Sequence, residues 1–343
     1  MATIEDVARR AGVSRMTVSR VINKSGYIKK ETNERVLKAI EELKFRPNMV
    51  AKTLVTRRNR VLAYVMVNIS DPFHNLVSQG FESVAFREKY TTMMCDTHSP
   101  SRELDYINLF LDHRIGGAVF HHLAIAPEQV EELLEGGVQC VLMDNEEELE
   151  GVPSVNTDNR LGGAMAAEYL VSRGHRRIAC VHGALERPAG DDIPYEDTFQ
   201  FNFWRQRVEG FRGAMQRLGV EPAGFYRSNG RFDYAVGVTK GIADEILGAE
   251  NRPTALYCAN DIIAVAMINE LQGRGVKVPG DVAILGHDGL DLCRMLHPHI
   301  TTVAQPRYEM GREAARMLID RIERGGAPRA VVLPPGILVG ETA

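Results

Sequence analysis

Arg15, Met16, Thr17, Ser19, Arg20 and Asn23 crowd into nine consecutive positions and carry the chemistry of a groove reader. An Arg guanidinium can donate two parallel N–H bonds to guanine O6 and N7, whereas Met offers only apolar contact, for example to a thymine methyl. Thr17, Ser19, Asn23 and Tyr27 have the polarity to hold phosphates, which positions a protein without reading sequence. The alternative for Arg15 and Arg20 is phosphate clamping alone. The charge distribution suits such a partner. Residues 1–60 carry 15 Lys+Arg against 6 Asp+Glu, a surplus of +9, while the remainder carries 26 against 39, or −13. A basic head on an acidic body points to a polyanion for the head only.

Short helices must present these residues. Ile4, Val7, Ala8 and Ala11 follow the i, i+3, i+4, i+7 spacing of one helical face. Thr3 can cap that helix, with Asp6 three residues on as a near capping box. Gly12 supplies a turn and Ser14 a second cap. Val18, Val21 and Ile22 face inward from the second helix. A third helix is expected over about 32–43, with Val36, Leu37, Ile40 and Leu43 inside. Two short helices around a glycine turn, with the arginines on the second, describe a helix-turn-helix.

The strings TIEDVARRAGVSRMTVSRVIN and FRPNMVAKTL resemble the DNA-binding head of the lactose/galactose repressor (LacI/GalR) family, with the opening residues most similar to its purine-repressor branch. The likeness covers nearly the whole chain. It implies that the start of the second helix enters the major groove, with Arg15, Met16 and Arg20 as readers. It also implies a hinge helix at Asn48–Val55, with Asn48 and Leu54 contacting DNA and Leu54 wedged into the minor groove. Such a wedge unstacks one base step and bends the duplex by roughly 20–90°. An eight-residue helix is marginal alone, so this one should form when paired with a second subunit on DNA. The expected divisions are a head over 1–46, hinge and linker over 47–60, and an effector-binding and dimerisation domain over 61–343.

Beyond residue 60, apolar runs alternate with amphipathic stretches. Strands are expected at 61–68, 91–95, 117–120, 139–143, 154–157, 177–182, 225–228, 255–258, 282–286, 301–304 and 330–333. Helical patterns lie between most of them, as in a parallel, doubly wound α/β fold. The resemblance implies two Rossmann-like lobes, as in periplasmic sugar-binding proteins. Crossovers are expected near 156–158, 287–291 and 320–324, making lobe 1 about 61–156 plus 290–321 and lobe 2 about 158–287 plus 324–340.

Open α/β sheets bind ligands beyond the C-terminal strand ends. Polar residues fall there: Asp71, Asp144, Asp158, Asn260, Asp261 and Asp288. Asp144, Asp158 and Asp261 read as caps or interlobe contacts, because Asp caps helices readily. The resemblance implies effector contacts at Arg207, Asn260 and Asp288, an aromatic plate at Phe232, and Asp71 and Phe73 on the opposite lobe. Charged groups with an aromatic plate suit a polyhydroxylated ligand. Arg187 and Arg207 could instead clamp a carboxylate or phosphate. The stretch around 188–204 is longer than the family pattern, acidic and aromatic, and reads as a lid offering Tyr195 or Trp204, or as a flap packed on itself.

Several classes are disfavoured. There is no run of about 18 apolar residues to span a membrane. Charges fall within the first ten residues, MATIEDVARR, with no apolar run, so no secretory signal is expected. Five scattered cysteines without a CxxC pair argue against a disulfide framework and for a reducing cytoplasm. His121-His122 and His297-Pro298-His299 lack the HxxxH or HExxH spacing of a metal helix, so no metal or other cofactor is expected. No nucleophile elbow or P-loop occurs. The expected function is therefore a regulator of transcription, a repressor rather than an enzyme. It would bind a pseudo-palindromic double-stranded DNA operator as a homodimer, gated by a sugar or sugar derivative between the lobes. A corepressor or phosphometabolite is the alternative effector. A cytoplasmic sugar-binding protein or an enzyme is the non-regulatory alternative. No leucine heptad follows PPGILVGETA, so a dimer is expected over a tetramer.

Overall fold

The computed structural model describes residues 2–23, 25–45, 59–97, 100–121, 127–145, 149–183, 201–228 and 235–343. It divides into two compact units, Met1–Asn59 and Arg60–Ala343.

In the first unit, α1 (Ile4–Ala11), α2 (Arg15–Asn23) and α3 (Lys30–Glu42) enclose a small core. The α1 start is a full capping box: Thr3 N–H donates to Asp6 Oδ2 (2.9 Å) and Asp6 N–H to Thr3 Oγ1 (3.3 Å). Gly12 ends α1 at φ 64°, a left-handed turn that glycine adopts without a Cβ penalty. Ser14 Oγ then accepts from Thr17 N–H at 3.1 Å and opens α2. Val7, Ala8, Ala11, Val18, Val21, Val36 and Ala39 form the buried centre. Leu37, expected inside, is 51 % exposed, and Ala39 takes its place. At 100° per residue, position 37 points away from the stripe that 36, 40 and 43 define.

The second unit contains two six-stranded sheets, one per lobe. Lobe 1 has the order β11-β5-β4-β3-β1-β2, built from β1 (Val61–Met66), β2 (Thr91–Asp96), β3 (Gly117–His121), β4 (Gln139–Met143), β5 (Ser154–Thr157) and β11 (Ala330–Leu333). Lobe 2 has the order β12-β10-β9-β8-β6-β7, from β6 (Ile178–His182), β7 (Gly224–Arg227), β8 (Ala255–Cys258), β9 (Ala283–Asp288), β10 (Thr301–Ala304) and β12 (Gly336–Leu338). All pairings are parallel except β10 with β12.

This strand order corrects two expected boundaries. Thr301–Ala304 pairs with Leu285–Asp288 in lobe 2, not within a lobe 1 segment 290–321. Ala330–Leu333 pairs with Ser154–Thr157 in lobe 1, not within a lobe 2 segment 324–340. The chain therefore crosses between lobes after β5, after β10 and after β11. Short apolar strands look alike locally, and only non-local backbone hydrogen bonds decide which sheet each joins.

The helices are α4 (Phe73–Arg87), α5 (Pro100–His113), α6 (Pro127–Glu135), α7 (Asn159–Ser172), α8 (Phe201–Arg217), α9 (Ala235–Gly248), α10 (Asp261–Gly273) and α11 (Arg307–Arg324). Two pairs cross backbone on backbone. A Cβ on Gly311 of α11 would stand 1.9 Å from Val77 O on α4, and one on Gly163 of α7 would stand 1.9 Å from Arg207 O on α8. Only glycine permits such approaches. The second crossing fixes where Arg207 stands.

Candidate functional site

On α2, Arg15, Met16 and Arg20 are exposed, as is Tyr27 beyond it, with Met16 at 66 % and Tyr27 at 91 %. Arg15 pairs with Glu5 at 2.8 Å. Exposed ion pairs of this kind are worth about 0–1 kcal/mol. Thr17 is half-buried and its Oγ1 lies 2.9 Å from Ser14 Oγ, so it helps cap α2. Ser19 is also half-buried. Asn23 ends α2. Asn48 and Leu54, with the whole hinge over 47–58, lie outside the described residues.

Between the lobes, Asp288 at the end of β9 is the centre of a buried polar cluster. Its Oδ1 accepts from Arg207 Nη1 at 3.0 Å and from Gln305 Nε2 at 2.8 Å. Its φ is 118°, a backbone conformation that L-residues rarely hold. Such strain costs on the order of 1–3 kcal/mol and persists where surroundings over-determine it, often at binding sites. Arg207 is 4 % exposed. It also donates Nε–H to Asn159 Oδ1 (2.8 Å) and Nη1–H to Ala259 O (2.6 Å). Its guanidinium lies 4.8 Å from the Phe203 ring centroid and 5.7 Å from that of Trp204. Burial pushes the Asp288 carboxyl above the usual carboxylate range; Arg207 opposes this and Asp71 adds to it.

Asp71 closes the cluster from lobe 1. Its Oδ1 accepts Phe73 N–H at 2.8 Å, and burial likewise raises its carboxyl. Arg307, at the crossover into α11, joins the lobes by donating to Pro72 O at 3.4 Å and to Gly289 O at 2.5 Å. Arg307 thus acts electrostatically on both Asp71 and Asp288, Arg207 pairs with Asp288, and the exposed Asp291 lies 4.0 Å from Arg307 at the rim. Gln305 Oε1 is buried and without a partner among the described residues, an orphan acceptor beside Asp288 that a ligand hydroxyl would satisfy.

The remaining candidates divide. Asn260 caps α10, its Oδ1 accepting Ile263 N–H at 2.7 Å. Phe73 is buried against the His74 and His121 rings, with centroids 5.9 and 5.7 Å away. Arg187, Phe232 and Tyr195 lie outside the described residues, as does most of the expected lid. Trp204, offered as a lid residue, is 1 % exposed and packs on Gly183, where a Cβ would stand 2.4 Å from its Nε1. It is core, because α8 begins at Phe201 and turns that ring inward. Asp158 does cap α7, accepting Leu161 N–H at 2.8 Å. Asp261 caps nothing: it is fully buried and accepts Leu290 N–H (2.7 Å) and Thr302 Oγ1–H (2.6 Å). Burial raises its carboxyl, and Asp288 adds to this.

Sequence reasoning missed Gln305 and Arg307, for which the break QPR between strand and helix was the available signal, and placed Asn159 only as a polar residue at a strand end. It also missed a buried relay in lobe 1. Tyr64 Oη lies 3.0 Å from His74 Nδ1 and 2.6 Å from His121 Nδ1, and His121 Nε2 lies 3.0 Å from Asp144 Oδ2. A cleft of about 300 Å³ opens beside the cluster, bordered by Asn145, Asn156, Asn159, Asn202, Phe203 and Gln206 among others.

All five cysteines are buried and unpaired. No described helix is long and apolar enough to cross a membrane.

Comparison with known proteins agrees with this geometry. The family model described as bacterial regulatory proteins, lacI family, matches residues 3–48, and that of the periplasmic binding protein-like domain matches 167–343. The HTH-type transcriptional repressor PurR of Vibrio parahaemolyticus is 32 % identical, with 100 % of this chain and 98 % of that protein covered. Among solved structures, the transcriptional regulator CelR in complex with cellobiose is 28 % identical with a TM-score of 0.71, covering 100 % of both chains. The lac repressor dimer bound to operator and the anti-inducer ONPF shares the fold, at TM-score 0.83 and 20 % identity, with 99 % of this chain and 98 % of that chain covered. The chain belongs to the lacI family of bacterial regulatory proteins.

Proposed function

We propose that this protein is a cytoplasmic transcriptional repressor, not an enzyme, that binds a pseudo-palindromic operator as a homodimer and responds to a sugar or sugar derivative held between its lobes. Its full-length relative is a repressor, and the exposed Arg15, Met16 and Arg20 suit base edges, with Thr17, Ser19, Asn23 and Tyr27 nearer phosphates. Asn48 and Leu54 complete the DNA contacts in this reading. Asp71, Phe73, Arg187, Arg207, Phe232, Asn260 and Asp288 form the effector site.

The observation that carries the effector class is the balanced cluster. Asp71 and Asp288 offset Arg207 and Arg307, so no surplus cation among the described residues waits for a phosphate. A neutral polyol can exchange hydroxyl hydrogen bonds for those the cluster makes internally. The relative solved with cellobiose points the same way. Binding that loosens Asp288 from Arg207 or Arg307 from Gly289 shifts the balance of lobe arrangements, and a ligand acts only through its differential affinity for them.

Two measurements test this. Calorimetry against neutral sugars, sugar acids, sugar phosphates and purines should give binding confined to neutral sugars, abolished in Asp288→Asn. Binding confined to phosphorylated or acidic compounds would overturn the effector class. Fluorescence anisotropy with operator DNA should show log K falling with log salt at about −0.9 per neutralised phosphate; a flat salt response would overturn the DNA assignment.

A further inference from the structure

At the end of lobe 2 remote from the cleft, three side chains from separate segments converge. His297 and His299 precede β10, and Glu341 follows β12. One ligand atom from each, two imidazole nitrogens and a carboxylate oxygen, all lie within 4.8 Å of one another. We propose that His297, His299 and Glu341 form a binding site for a divalent transition metal, zinc or nickel in character.

Their neighbours already orient two of the three ligands. His299 Nδ1 lies 2.9 Å from Leu296 O, so Nδ1 carries the proton and Nε2 presents its lone pair. A metal-bound histidine usually donates its other ring N–H to a carbonyl or carboxylate in this way. Glu341 Oε2 accepts His299 N–H at 2.8 Å, which leaves Oε1 for a cation. The two segments are also held by backbone bonds: Glu341 N–H donates to His299 O at 2.6 Å and Thr342 N–H to the same oxygen at 3.2 Å. The third ligand, His297, is exposed, with its ring centroid 4.6 Å from that of His299. Ligand atoms around a tetrahedral zinc stand roughly 3.4 Å apart for Zn–N bonds of about 2.0–2.1 Å. Small rotations of the exposed His297 and Glu341 side chains close that gap.

The donor set selects the ion. Two imidazoles with one carboxylate suit zinc, nickel and copper, whereas calcium and magnesium want oxygen donors. Three protein ligands leave a fourth position for water. The bound ion would staple the turn before β10 to the chain after β12, segments 42 residues apart in sequence. Sequence spacing hides this site, because the His-Pro-His triplet lacks a third ligand until the fold delivers Glu341. Since Asp288 pairs with Ala304 at the opposite end of β9 and β10, metal should leave effector affinity unchanged.

The test uses the full-length protein, free of any affinity tag and dialysed against chelator. Calorimetry with zinc chloride should give one site per chain, with a matching rise in unfolding temperature. His297→Ala and Glu341→Gln should each weaken it at least tenfold. Both side chains are exposed, so the metal-free unfolding temperature of the variants should match the parent, and this control separates lost ligation from lost fold. Absence of saturable binding at one equivalent, or variants that bind zinc as tightly as the parent, would overturn the proposal.

Discussion

Removing either member of the Arg207–Asp288 pair should destabilise the protein unequally and with different pH dependence. Both side chains are buried, at 4 % and 10 % exposure. Breaking a buried ion pair by removing one partner costs about 3–5 kcal/mol, because the other charge is left uncompensated. In Asp288→Asn the orphan is a guanidinium, which cannot shed its proton. It keeps Asn159 Oδ1, Ala259 O and the two aromatic rings, and the cation–π contacts alone return roughly 0.5–2 kcal/mol. A loss of about 2–4 kcal/mol is expected at pH 5, and it should shrink toward pH 8, because the variant lacks the carboxyl whose raised folded pKa makes the parent lose stability as pH rises. In Arg207→Met the orphan is a carboxylate, which can take up a proton. Its folded pKa already lies above its unfolded value, and losing Arg207 raises it further. A carboxyl raised on folding gives most stability at low pH and loses it as pH rises toward the folded pKa, at about 1.4 kcal/mol per pH unit. Arg207→Met should therefore be mild at pH 5 and increasingly destabilised toward pH 8. Urea unfolding of the full chain followed by circular dichroism reads both curves. Parallel pH profiles for the two variants, or a loss under about 1 kcal/mol for Asp288→Asn at pH 5, would refute a buried pair in which only one partner can neutralise itself.

Four further outcomes are expected. Arg20→Ala should lose about 1–3 kcal/mol of discrimination at one guanine of the half-site, read by anisotropy against single-base operator variants; uniform weakening on all sequences would assign Arg20 to phosphate. Gly163→Ala should destabilise by at least about 1–3 kcal/mol, since its Cβ meets Arg207 O at 1.9 Å, and should weaken effector binding by displacing Arg207. Gly311→Ala, with the same clash against α4 in lobe 1, should destabilise without moving Arg207, and equal effects on effector affinity would count against the α7–α8 crossing as its determinant. Asp261 has a raised carboxyl, so the parent loses stability as pH climbs above about 4 while Asp261→Asn lacks that slope. The variant should compare more favourably at pH 8 than at pH 5, and a pH-independent difference would contradict the raised value.

Much of the head was legible because its determinants are local. Thr3, Asp6, Gly12 and Ser14 act within four residues of themselves, and a 3.6-residue period marks the inward face. The strands and helices of the body were equally visible as alternating runs. Residue type at a strand end marked Asp288 as a polar feature, whereas Arg207, inside a helix, was marked only by the family resemblance. Distant contacts were not legible. Arg207 meets Asp288 because α8 crosses α7 on Gly163; nothing near either residue encodes that meeting. Trp204 looked like a lid residue because aromatic and acidic neighbours surround it, yet helix phase turned it into the core.

By itself, then, the sequence determined the helix-turn-helix, the α/β succession and the kinds of residue at each strand end, because capping, periodicity and turn chemistry act over a few residues. The tertiary structure alone decided which lobe received 301–304 and 330–333, that Gln305 and Arg307 join the interlobe cluster, and that Glu341 stands beside His299. Each of those depends on backbone pairing or helix crossing between segments tens of residues apart, where several arrangements share one local pattern and packing selects among them.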